Sequence, residues 1–140
     1  MPIPMILPIA LLAASNTFAP DTITWVVDNH GRRAGEMTAV TVGDSLTVRW
    51  VYTDRNRGGR VETRYQLARD GSPLGGEQRP VLADGSSGEV SERFEIVGDS
   101  VRLTIGGGNP ATSARAAGTY IGLRNGTPWE SAALARFLLA

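Results

Sequence analysis

Between Leu46 and Tyr52 apolar and polar side chains alternate without a break. Leu46, Val48, Trp50 and Tyr52 fall on one side of an extended chain, Thr47 and Arg49 on the other. A period of two is the mark of a β-strand with one buried face, and a helix cannot satisfy it. Val61, Thr63, Tyr65 and Leu67 repeat the pattern after one loop, so the chain is committed to building a sheet. Further strands are predicted over residues 22–28 and 38–42, where β-branched and aromatic residues gather between turn signals. Residues 28–31, 43–44 and 54–60 read as turns or loops, and 32–36 as a polar connection. Residues 75–88 read as turn-rich and polar, with a short strand at 80–82. With 17 Gly and 8 Pro, the chain is punctuated as an all-β domain is.

At 140 residues the chain holds one domain, divided here into an apolar N-terminal arm, 1–20, and a β-domain, 21–140. The net charge is zero, which gives no electrostatic reason for a nucleic-acid partner. All 14 basic residues are Arg, read as the coding bias of a GC-rich genome rather than as chemistry. The absence of Cys excludes disulfide frameworks, thiolate metal sites and thiol nucleophiles together. His30, the single histidine, lies in a turn beside Asp28 and reads as a solvated turn residue, with no serine nucleophile to serve. Glu89, Glu92 and Glu95 read as an exposed strand edge, and no calcium-loop or phosphate-loop pattern appears. No catalytic residue, metal site or cofactor is therefore predicted.

The stretch Ala117-Gly118-Thr119-Tyr120-Ile121-Gly122-Leu123-Arg124-Asn125 resembles the F strand of an immunoglobulin-like domain, with Tyr120 in the place of its corner tyrosine. Gly43-Asp44-Ser45-Leu46-Thr47-Val48-Arg49-Trp50 resembles the B strand, and Arg69-Asp70-Gly71-Ser72-Pro73-Leu74 the hairpin between strands C and C′. Residues 92–96 and 100–105 resemble strands D and E. Trp50 and Gly122 stand where that family has its two bridging cysteines, which implies an indole packed over a glycine. The resemblance covers residues 40–139 and implies a two-sheet immunoglobulin-like sandwich, with a crossover at 106–116 and the Tyr120 hydroxyl bonded to backbone near 113–116. Arg93 lacks the family's acidic partner, since Ala116 holds that position. Residues 130–139 bring two rules into conflict. Thr127, Pro128 and Glu130 form a helix capping box, whereas the resemblance makes 131–139 the G strand beside F; the strand is preferred, because without it F is left as an apolar edge.

The resemblance also implies where binding would occur. The loops after strands B and F share one end of such a sandwich, which would gather Arg55, Asn56, Arg57, Arg60, Asn125 and Trp129 into a recognition surface. Ile121 and Leu123 would face outward and join the arm residues Ile3, Met5, Ile6, Leu7, Leu11 and Phe18 in an assembly interface. Pro2, Pro4 and Pro8 and the shortness of the apolar run argue against a membrane span. The arm lacks the basic start of a signal peptide, and an uncleaved assembly arm is preferred to a cleaved signal ending near residues 15–19. Immunoglobulin-like domains decorate phage capsids and tails, so the expectation is a non-enzymatic virion protein. Its partners would be other virion proteins or copies of itself, with a host-surface ligand at the loop end. A secreted or periplasmic adhesion module is the alternative.

Overall fold

Among the described residues every strand pairs with its neighbours in sequence. The computed structural model describes residues 20–55 and 57–139. Within them lie β1 (Asp21–Asn29), β2 (Arg32–Val42), β3 (Ser45–Asp54) and β4 (Arg57–Leu67). They are followed by β5 (Pro73–Pro80), β6 (Glu92–Val97), β7 (Ser100–Ile105) and β8 (Ala111–Ala114). All eight form one antiparallel sheet in the order β1-β2-β3-β4-β5-β6-β7-β8, and a helix, α1 (Pro128–Leu139), comes after them. The all-β expectation holds for the bulk of the chain. The arrangement departs from the expected two-sheet sandwich, since the strands run as a meander in one sheet.

The departures have local causes. Residues 106–116 are not a crossover, because Ala111–Ala114 fold straight back onto β7 as β8. Residues 117–127 are not an F strand, and Gly118 turns the chain with φ +74°. The Tyr120 hydroxyl bonds no backbone group; its ring meets Phe137 at 5.4 Å instead. Gly122 has Glu130 and Tyr120 as nearest neighbours, while Trp50 stacks on Tyr52, so the expected indole-over-glycine contact is replaced. Residues 131–139 are helical, as the capping box had offered. Pro128 is the first helical residue and Glu130 adds an acid in the first turn.

Three polar segments also prove to be strand. Residues 32–36 belong to β2, residues 57–60, read as loop, to β4, and residues 75–80, read as turn-rich, to β5. The last case is instructive. Gly76 lies opposite both Tyr65 and Phe94, and a Cβ there would come within 2.8 Å of both rings. A strand whose inward positions are Gly76 and Gln78 shows no hydrophobic alternation, yet its backbone completes both ladders.

The registers place Met37 and Ala39 of β2, Leu46 and Val48 of β3, Tyr65 of β4 and Phe94 of β6 on one sheet face. These side chains form the core together with Leu123, Trp129 and Ala133, which arrive from the loop and helix above. Trp129, Ala133 and Phe137 recur every four residues, a spacing that presents one side of a helix. The Trp129 ring lies 4.8 Å from that of Tyr65, tilted by 34°.

Removing that indole uncovers Tyr65 and leaves a large void, so Trp129→Ala should lower stability by about 3–5 kcal/mol. Urea unfolding followed by circular dichroism measures the loss.

Candidate assembly surface

The helix covers only part of its sheet face. Across β1, β2 and β3 the register makes rows of Ile23, Ala39 and Val48, then Trp25, Met37 and Trp50, then Val27, Gly35 and Tyr52. Toward β1 these rows run out from under the cover: Ile23 is 48% exposed, Trp25 39%, and Val26 on the opposite face 58%. Trp50 and Tyr52, half-buried, lie in parallel with ring centroids 5.8 Å apart and an interplanar angle of 11°. The patch ends at the β3–β4 turn, where an open pocket of about 360 Å³ is lined by Tyr52, Asp54, Arg55 and Arg57. Arg55 takes φ +49° in this turn. Gly58 must be glycine there, since a Cβ would stand 1.8 Å from the Tyr52 carbonyl oxygen.

The edge of β1 is open as well. Among the described residues β1 pairs with β2 alone, and seven of its nine residues are exposed. Its pairing slips between Val27 and Asp28, where Gly35 and Arg33 are the successive partners. The extra residue is thus Ala34 of β2, and β1 itself stays regular. Ile23, Trp25 and Val26 were not assigned a binding role from sequence. The signal was present in a strand of β-branched and aromatic residues with neither Pro nor Lys inside it, the devices that usually blunt an edge.

The sequence-predicted sites are redistributed. Arg55 and Arg57 stay together at the β3–β4 turn, and Arg60 lies exposed further along β4. Asn125 does not join them: its carbonyl accepts a hydrogen bond from Gln78 Nε2 at 2.8 Å, over the row that holds Thr63. Thr63 and Arg57 are six residues apart on one strand, about 20 Å. Trp129, at 9% exposure, is a core residue rather than a surface anchor. Ile121 and Leu123 point into the core instead of outward. Asn56 and the arm residues Ile3, Met5, Ile6, Leu7, Leu11 and Phe18 lie outside the described residues.

Nor is Glu92 on an exposed edge. It is buried and accepts the Arg124 N–H at 2.7 Å, while Glu130 accepts the Leu123 N–H at 2.7 Å. With Gln78 these acids hold the loop down by the backbone groups a strand would have used for its ladder. The approach is close, for a Cβ on Gly126 would overlap the Glu130 carboxylate. Burial pushes the Glu130 carboxyl above its ordinary 4.5, and the nearby charge of Glu92 acts in the same direction, against the Leu123 N–H. Burial and the Glu130 charge raise the Tyr120 hydroxyl to about 12. An open pocket of about 340 Å³ adjoins this cluster, with the buried hydroxyls of Tyr120 and Thr127 unpartnered among the described residues.

The other sheet face is ionic. Arg49, Glu62 and Arg79 stand opposite one another on β3, β4 and β5, and Arg64, Glu77 and Arg93 form the next row on β4, β5 and β6. Glu62, 1% exposed, accepts from Arg49 Nε at 2.7 Å, Arg64 Nε at 2.9 Å and Ser87 Oγ at 3.1 Å. Arg93, for which the sequence resemblance offered no acidic partner, pairs with Glu77 at 2.5 Å. Burial alone would raise the Glu62 and Glu77 carboxyls, but these bonds outweigh it and hold both below 4.5. An open groove of about 590 Å³ crosses this face between Thr47, Arg64, Glu77 and Arg93. Its charges are already paired with one another.

Among the described residues no helix is long and apolar enough to cross a membrane, and no group of three or more His, Cys, Asp or Glu is placed to hold a metal ion. In comparisons with known proteins, no family model, no curated protein and no solved structure matches this chain.

The two kinds of acid make opposite predictions for stability against pH. Glu130 has a raised folded-state pKa, so its contribution is full below the unfolded value of 4.5 and is lost as pH rises through the folded value. Glu130→Gln should flatten the fall in urea midpoint that sets in as pH rises above 4.5. Glu62 has a lowered pKa, so its contribution is present above 4.5 and lost as pH falls through the folded value. Because its arginine partners are more than half exposed, Glu62→Gln should cost about 1–2 kcal/mol at neutral pH and little in strong acid.

Proposed function

We propose that this protein is a non-enzymatic structural component of a larger assembly, and that the assembly is a bacteriophage virion, at its capsid or tail. One observation carries the reading. β1 is exposed along both its faces, bears Ile23, Trp25 and Val26, and directly follows the apolar sequence of residues 1–19. Exposed apolar surface contiguous with a further apolar segment is what an assembly contact requires, and it is costly on a protein that works alone. In this reading residues 1–19 anchor the chain and β1 extends the contact. In the same reading the β3–β4 turn with Arg55 and Arg57, level with the C-terminal end of β1, is left open to a host-surface ligand. The buried acids Glu92 and Glu130 serve the loop rather than a substrate, which favours a structural role over a hydrolytic one.

A second reading is supported by the pocket at Tyr52, Asp54, Arg55 and Arg57. Stacked aromatics beside an acid and two guanidinium groups suit the recognition site of a secreted or periplasmic binding module.

Deleting residues 1–19 should abolish incorporation into particles while leaving the far-ultraviolet dichroism of the sheet unchanged. A truncated chain that still assembles overturns the anchor. Intact mass from the natural source separates the two readings: a full-length chain in a large particle supports the first, and a mature monomer beginning near residues 15–20 supports the second.

A further inference from the structure

We propose that β1 pairs antiparallel with β1 of a second copy of this chain, about a two-fold axis at Trp25. The open edge presents the backbone of nine residues, about 30 Å of strand at ~3.4 Å per residue. Such an edge accepts another strand, and the side chains decide which strand fits.

The sequence of β1 complements itself when reversed. Centred on Trp25, the pairing sets Asp21 against Asn29, Thr22 against Asp28, Ile23 against Val27 and Thr24 against Val26, with Trp25 opposite its own copy. Neither aspartate then meets an acid, and Asp21 and Asp28 point to opposite faces of the joined sheet. Ile23, Trp25 and Val27 meet apolar residues alone. Moving the centre by one residue to Thr24 or Val26 shortens the match to seven pairs. It also opposes Asp21 with Val27 in the first case, and Asn29 with Ile23 in the second. Centring between residues would join the helix-covered face of one copy to the ionic face of the other. The Trp25 centre alone uses all nine residues and keeps each face continuous.

The rows behind the edge fit the same geometry. Trp25 lies opposite Met37, and Met37 opposite Trp50, so the pairing would join two half-covered rows into one apolar band. Cross-strand side chains there come within about 5 Å at Cβ, close enough for indole against indole to cover what is exposed in one copy. A second copy brings the same strand in the same register, so the match found on one side of the axis is repeated on the other.

The inference deepens the assembly reading and shares its surface, yet it is tested on the isolated full-length chain. Sedimentation equilibrium should give twice the chain mass. Thr24→Lys with Val26→Lys sets lysine against lysine across the axis and should yield a monomer with an unchanged circular dichroism spectrum. Thr24→Glu with Val26→Lys sets glutamate against lysine and should retain the dimer; a centre at Thr24 or Val26 would instead oppose like charges and lose it. A wild-type monomer, or a double-lysine variant that still dimerises, overturns the pairing. So does a monomer whose β1 amides resist hydrogen exchange only while residues 1–19 are present, which would give the edge to that segment. A wild-type monomer that is nevertheless incorporated into particles removes the pairing and leaves the assembly reading standing.

Discussion

The contact between Trp129 and Tyr65 is the one on which the rest of the structure leans. A single antiparallel sheet has two faces, and each must be apolar and covered or polar and solvated. Here one face is made solvent-compatible by rows of arginine and glutamate, and the other is closed by one short helix. Twelve residues cannot span eight strands, so the cover is centred where the largest side chains are. Trp129 supplies most of its area, and Ala133 lets the helix approach.

What holds the cover in place is polar. Gln78 and Glu92 rise from the sheet and Glu130 reaches back from the helix, and together they grip three consecutive residues of the loop between them. Polar groups at such depth are tolerated because each has a backbone partner, and their value lies in fixing one position for the loop. The cost is the tension at Glu130, whose carboxyl is driven toward its neutral form by the burial that makes it useful.

Much of the sheet was legible in the sequence and its topology was not. The alternation of Leu46 to Tyr52 and of Val61 to Leu67 is a local property that reports a strand directly, and both strands stand where the pattern puts them. β5 escaped because the rings of Tyr65 and Phe94 claim the space above Gly76, so the information sat on other strands. The stretch around Tyr120 misled for the converse reason. Its motif suits a strand, but three side chains bind its backbone first, two of them, Gln78 and Glu92, remote in sequence. The helix was written in Thr127, Pro128 and Glu130 and was outweighed by a family likeness that assumed a neighbouring strand F. For the surface, loop composition placed Arg55 and Arg57 beside one another after a strand, and they flank the β3–β4 turn. Trp129 was misplaced because a tryptophan near a turn gives no sign of which way it folds, and Trp25 was passed over because an edge is defined by what fails to pair with it.

The order of the elements also has a consequence for biosynthesis. In a sequential meander each hairpin can close as soon as its second strand leaves the ribosome, since no strand waits for a distant partner. The helix, however, comes after every strand, so the growing sheet emerges with Val48, Tyr65 and Phe94 bare until the final residues of α1 are made. For that interval the nascent chain presents a broad apolar surface, of the kind that chaperones engage. Completion of α1 closes it.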